Sequence, residues 1–135
     1  MKIIKAVIAA YYWSKSISLS SSEKYEEALD YLKKTSKFRK VFDEEFFLHQ
    51  GFLLGSTGHS DSSIKSLKKA IEYSMSEKSK LNIDEKIYLK NYATMIASFL
   101  DVHGVPFQIN DAYNTNNVSS HLKEKFRYKK SLVKI

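Results

Sequence analysis

Four histidines, His49, His59, His103 and His121, and the acidic run Asp43, Glu44 and Glu45 are the side chains best suited to metal binding or proton transfer. Such work requires convergence, as when two histidines one helical turn apart in H-E-x-x-H hold a zinc ion. The histidines here are scattered, and no cysteine exists to act as thiolate ligand, nucleophile or disulfide partner. The acidic run reads as the first turn of a helix, where the dipole favours carboxylates. Gly51, Gly55, Gly58 and Gly104 lack the spacing of a phosphate-binding loop, and no serine sits in a G-x-S-x-G context. The expectation is a protein that is not an enzyme and uses no metal or cofactor.

The elements that position these groups are read from composition and pattern. A chain of 135 residues fits one domain with a core of its own. Only 4 glycines and 1 proline leave few tight turns and few helix breakers, which favours an all-α fold over a sandwich or barrel. The opening "MKIIKAVIAAYYWSKS" has the lysines and apolar run of a signal peptide. It ends in Tyr11, Tyr12 and Trp13, however, where cleavage needs small residues, and it is read as a helix of the mature fold. No stretch approaches 18 uninterrupted apolar residues, so no membrane span is expected, and the expected location is the cytoplasm.

The net charge of +7 is unevenly distributed. From His121 to Ile135 six basic residues face one acid, giving +5, whereas residues 1–120 carry 16 basic and 14 acidic groups, giving +2.

An offset of 35 residues brings large onto large and small onto small. Tyr12 falls on Phe47, Ser16 on Gly51, Leu19 on Leu54, Ala28 on Ser63, Leu29 on Ile64, Leu32 on Leu67 and Thr35 on Ala70. Phe47, Gly51 and Leu54 share one helical face, and Ser63, Ile64, Leu67, Ala70 and Ile71 share another. Small residues at matched places let two antiparallel helices approach closely. Gly58 breaks the chain between them, and Ser60 or Asp61 is expected to cap the second helix.

This pattern resembles the tetratricopeptide repeat (TPR). Phe47, Gly51, Leu54, Gly58, Ser63, Leu67 and Ala70 carry the resemblance in one unit. Tyr12, Ser16, Leu19, Tyr25, Ala28 and Leu32 carry it in the other, with "YEEAL" at Tyr25 to Leu29. Gln50 and Lys15 depart from the usual leucine, Glu23 from the usual turn glycine, and the closing proline is missing from both units. The resemblance implies a right-handed stack of antiparallel helix hairpins, about six helices in all. Asp84 to Val102 supplies a third first-helix, with Asp84 as its cap and Ile96, Ala97, Leu100 and Gly104 in register. Pro106 and "INDAYNTNN" stop a helix from continuing beyond Gly104. The expected layout is a TPR-like domain over residues 1–104. An irregular segment and basic amphipathic helix follow over 105–135, packed on or capping that domain. Ile3, Ile4, Val7 and Ile8 are the candidates for covering its first end.

The resemblance also implies a concave inner surface that binds a peptide or protein. Ala10, Trp13 and Ile17 face it from the first unit, Glu45, Leu48 and Phe52 from the second, and Asn91, Thr94 and Ser98 from the third helix. Trp13, Ile17, Leu48 and Phe52 are its apolar anchors. A rival reading fills the same strip with Val105, Phe107, Ile109, Leu122 and Phe126 of the C-terminal segment. Basic side chains form a second candidate surface, with Lys33, Lys34, Lys37, Arg39 and Lys40 in one cluster. Lys123, Lys125, Arg127 and Lys129 in the tail are placed to meet an acidic partner. The leading expectation is a small adaptor, chaperone-like or regulatory, that binds another protein. An immunity protein neutralising a toxin with an acidic surface is the second reading, and a nucleic-acid-associated factor the third.

Overall fold

The computed structural model describes residues 2–39 and 42–103, which form five helices and no strand. They are α1 (Lys2–Ser21), α2 (Tyr25–Phe38), α3 (Glu44–Ser56), α4 (Ser60–Ser74) and α5 (Ile83–His103). α1 packs along α2 and α3 along α4, α2 meets α3, and α5 lies against α4 and, to a smaller extent, α3. The sequence beyond His103, including the expected sixth helix, lies outside the described residues.

The turns after α1 and α3 have the same construction. Lys24 N–H donates to Leu19 O and Glu23 N–H to Ser20 O; 35 residues on, His59 N–H donates to Leu54 O and Gly58 N–H to Gly55 O. This is the Schellman arrangement, which needs a left-handed residue just past the helix. Gly58 fills the place at φ 87° and Glu23 fills the matching one at φ 62°. Both turns feed the next helix without a side-chain cap, because Lys24 and His59 occupy the cap positions. Ser60 and Asp61 therefore do not cap α4, contrary to expectation; Ser60 is already its first residue.

The crossings inside each pair also match. Ser16 Oγ donates to Ala28 O at 2.7 Å between α1 and α2, and Ser63 Oγ donates to Gly51 O at 2.5 Å between α4 and α3. At Gly51 a Cβ would stand 2.6 Å from Leu67 Cδ2, so only a bare backbone fits the observed separation. A cation–π contact repeats as well, with Lys34 Nζ 5.8 Å from the Tyr12 ring centre and Lys69 Nζ 5.7 Å from that of Phe47.

Local capping accounts for the remaining helix starts. Asp43 accepts from Phe46 N–H at 3.0 Å at the head of α3. Before α5, Asn82 Oδ1 accepts from Glu85 N–H at 2.9 Å while Glu85 Oε1 accepts from Asn82 N–H at 3.0 Å, a capping box. Asn82 thus takes the role expected of Asp84. α1 begins at Lys2 as one continuous helix, and Ile3, Ile4 and Val7 lie exposed on it rather than covering the first end.

Two apolar clusters form the core. Ala28, Leu29, Leu32, Phe46 and Leu53 fill the space between α2 and α3. Leu48, Phe52, Leu67 and Ala70 meet Tyr88, Leu89, Tyr92, Ala93, Ile96 and Leu100 of α5 in the other. α3 serves both clusters, which is why eight of its residues are buried and its sequence lacks a polar face.

Candidate interaction site

Among the described residues a concavity lies between α4 and α5, a groove of about 390 Å³. Ile64, Leu67, Ile71, Ala93 and Ala97 form its apolar floor, while Lys68, Thr94, Ser98 and Asp101 stand at its edges. Its form follows from the sequence of α5. Small residues at Ala93 and Ala97 leave a trough beside α4, and the next positions round the helix, Thr94 and Ser98, are polar and exposed. An apolar trough with a few hydrogen-bonding groups and one charge of each sign suits an amphipathic segment of a partner.

Trp13 and Ile17 are half-buried on α1. The Trp13 indole stacks on Phe46 with ring centres 6.1 Å apart and meets the edge of His49 at 5.2 Å. The Arg39 guanidinium lies 5.2 Å from the indole centre, and its Nη2 is 3.4 Å from Asp43 Oδ1. Trp13 therefore belongs to an aromatic and cationic seam joining α1, α3 and the end of α2. Glu45, one turn before His49, is half-buried, and burial pushes its carboxyl above the usual range, with Asp43 adding to this against Arg39.

Leu48 and Phe52 occupy a different setting from the one expected. They are 1% and 0% exposed and sit in the core with Tyr88, Leu89 and Ile96 of α5. The Phe52 ring also lies 5.6 Å from that of Tyr25. An inner-face residue of a central helix is covered from both sides, so this pair offers a partner no surface. Asn91, Thr94 and Ser98, expected on the same inner face, are exposed. Lys123, Lys125, Arg127 and Lys129 lie outside the described residues, as do the five C-terminal residues of the rival filling.

One arrangement has the outline of a catalytic dyad. His49 Nε2 is 2.9 Å from Ser16 Oγ, and both residues are 0% exposed. The hydroxyl proton is already committed to Ala28 O, so His49 must be the donor and carry its proton on Nε2. Nδ1 is then the unprotonated nitrogen, buried without a hydrogen-bond partner. Burial holds the imidazole pKa down at about 3. A sealed serine whose proton points at a backbone carbonyl cannot be activated by that imidazole, so the pair ties α1 to α3. The described residues contain no cluster of three or more metal-ligating side chains.

The groove residues Ile64, Lys68, Ile71, Ala97 and Asp101 are not among the partner-binding residues expected from sequence. The signal that points to them is the pairing on α5 of small Ala93 and Ala97 with polar Thr94 and Ser98 one position further round the helix. No protein-family model, curated protein or solved structure matches the chain.

Proposed function

We propose that this chain is a helical-repeat interaction module, similar to TPR proteins, that works by holding another protein rather than by catalysis. The observation that carries the reading is the duplicated pair: Schellman turns at Glu23 and Gly58, 35 residues apart, and hydroxyl–carbonyl bridges Ser16–Ala28 and Gly51–Ser63, whose bridged positions repeat at the same offset. Stacked pairs of this kind present long surfaces to partners. The groove between α4 and α5 is the binding site in this reading, and the partner supplies an apolar helix face or extended segment with polar flanks.

The test begins with cross-linking in the native cell and identification of the captured protein by mass spectrometry. The purified pair is then titrated by calorimetry. Thr94→Arg with Ser98→Arg places two bulky cations in the groove at exposed positions, so the fold is kept and circular dichroism verifies it. A one-to-one complex that persists in high salt and weakens at least about tenfold in the variant is expected, the loss of a few buried anchors. Unchanged affinity in a folded variant would discard the groove, and failure to form any stoichiometric complex would discard the module.

A further inference from the structure

The large apolar side chains exposed among the described residues gather toward one end of the fold. Ile3, Ile4, Val7 and Tyr11 are 80%, 55%, 64% and 59% exposed on α1, and Met75, Ile83 and Ile87 are exposed around the junction of α4 and α5. The Ser16–Ala28 and Ser63–Gly51 bridges set α1 against α2 and α3 against α4 as antiparallel pairs. The N-terminal halves of α1, α3 and α5 and the C-terminal halves of α2 and α4 therefore share that end.

On α1 the four exposed residues make one stripe at i, i+1, i+4 and i+8. It stops abruptly. Ser14 and Ser18, which correspond to the buried His49 and Leu53 of α3, are exposed and polar. The outer face of α1 is thus built for water along its second half, and no further helix pair is suited to stack along it. The stripe is a convex ridge on a single helix, not a cleft.

On α1 and α2 its surroundings are cationic, while Asp43, Glu44 and Glu45 at the head of α3 are the acids of the same end. No carboxylate occurs from Ile3 to Ser22 or from Tyr31 to Arg39, whereas those spans contain Lys5, Lys15, Lys33, Lys34, Lys37 and Arg39. Lys34 borders the ridge directly. Its Nζ is 4.5 Å from the Tyr31 ring centre and 5.8 Å from that of Tyr12, which itself lies 5.6 Å from Tyr11. A second copy of the chain would set these cations against themselves. Nucleic acid would satisfy the lysines but leave the isoleucines and valine in water. A peptide helix is held in a groove, and this stripe is a convex ridge on one helix, which a fluid bilayer surface accepts.

We propose that the N-terminal half of α1 docks on an anionic lipid bilayer, with Ile3, Ile4, Val7 and Tyr11 entering the interface and Lys5, Lys34 and Lys37 meeting the headgroups. Amphipathic helices rich in lysine bind such surfaces through buried apolar area plus attraction to anionic lipid. No described helix is long and apolar enough to cross a membrane, so the attachment is peripheral and reversible. This inference stands apart from the groove beside α5, and either can fail alone.

Co-sedimentation of the full chain with phosphatidylcholine vesicles containing about one-third phosphatidylserine tests it, each lysine near the surface contributing roughly fivefold in affinity. Binding is expected to phosphatidylserine vesicles, not to pure phosphatidylcholine, and to weaken at least about tenfold in Ile4→Glu with Val7→Glu. Ile4→Ser with Val7→Ser gives the same readout should the glutamates perturb the helix. Lys34→Glu with Lys37→Glu is expected to abolish binding, while Lys24→Glu with Lys65→Glu, at the opposite end, leaves most of it. Absence of sedimentation with the anionic vesicles overturns the proposal. So does equal loss in both charge reversals with the Ile4 and Val7 variants unaffected, which is unspecific adsorption. Tight capture of an acidic amphipathic peptide without vesicle binding overturns it in favour of a protein surface.

Discussion

Ser63 on α4 reaches the carbonyl of Gly51 on α3, as Ser16 on α1 reaches that of Ala28 on α2, with donor and acceptor exchanged between the two pairs. The hydroxyl comes from the second helix in one case and from the first in the other. Either place can hold the serine because the opposite one is small enough to bring its backbone within reach. The two bridges nevertheless differ in consequence. Ser16 also accepts from His49 Nε2, whereas among the described residues the Ser63 hydroxyl has only its bond to Gly51 O. Ser16→Ala is therefore expected to strand a buried imidazole N–H and cost about 1–3 kcal/mol, and Ser63→Ala about 0.5–1.5 kcal/mol. Urea denaturation of the two variants checks the order.

Gly51→Ala sets helix propensity against space. Alanine gains about 0.5–1 kcal/mol over glycine inside a helix, but the new methyl meets Leu67, which is 1% exposed and has little room to retreat. Overpacking costs about 1–3 kcal/mol, so a net loss is expected. Leu67→Ala alone costs about 2–5 kcal/mol through its cavity. In the double variant the added methyl no longer meets the leucine, and the losses should sum to less than the two singles. A double-mutant cycle measures the coupling.

Glu23 holds a left-handed conformation that its pair-mate Gly58 adopts without a side chain to hinder it. Left-handed backbone costs an L-residue roughly 1–2 kcal/mol. Glu23→Gly is expected to stabilise by up to about 1 kcal/mol, the rest being offset by the greater freedom of glycine in the unfolded chain. Gly58→Ala should destabilise by about 1 kcal/mol. Thermal melts in which the two changes move Tm in opposite directions would support the matched turns.

The pH dependence has a defined sign. His49 is neutral in the fold with a pKa lowered to about 3 by burial, against about 6.5 for a free side chain. Its contribution is intact above pH 6.5 and is lost as pH falls towards 3, at up to about 1.4 kcal/mol per unit. Glu44 and Glu45 act in the opposite sense. Burial raises both, with Asp43 adding to the rise, so from their ordinary value upward their ionisation disfavours the fold. The fluorescence of Trp13, whose ring is 5.2 Å from His49, reports the transition. Denaturation midpoints should fall from pH 7 to pH 5, and His49→Gln should flatten that slope.

Sequence pattern revealed the helix pairs because Gly51, Ser63 and Ala70 are small for a reason local to each crossing, and all three are buried there. Thr94 and Ser98, read from sequence as facing a concave inner surface, are exposed and line the groove beside α4. Leu48 and Phe52 escaped the sequence pattern, since a periodic apolar face shows that a residue is covered or sticky without showing which. Their covering comes from α5, some 40 residues downstream in the chain. Ser16 was legible only as small; its second bond to His49 joins two pairs, and nothing in the spacing announces a hydroxyl shared between them. The caps were misplaced by one or two residues, because Asn82 and Asp84 are equally good cap residues and only the reciprocal bonds between Asn82 and Glu85 distinguish them.

Each helix leans chiefly on the next in the chain, and no substantial contact joins α1 or α2 to α5. The described helices therefore have no keystone. Pulled from its two ends the chain should come apart like a zip, with separate force peaks for separate pairs rather than one all-or-none rupture. The Ser16–His49 bond, spanning the border between the first pair and the second, is the stitch whose removal should separate those peaks further.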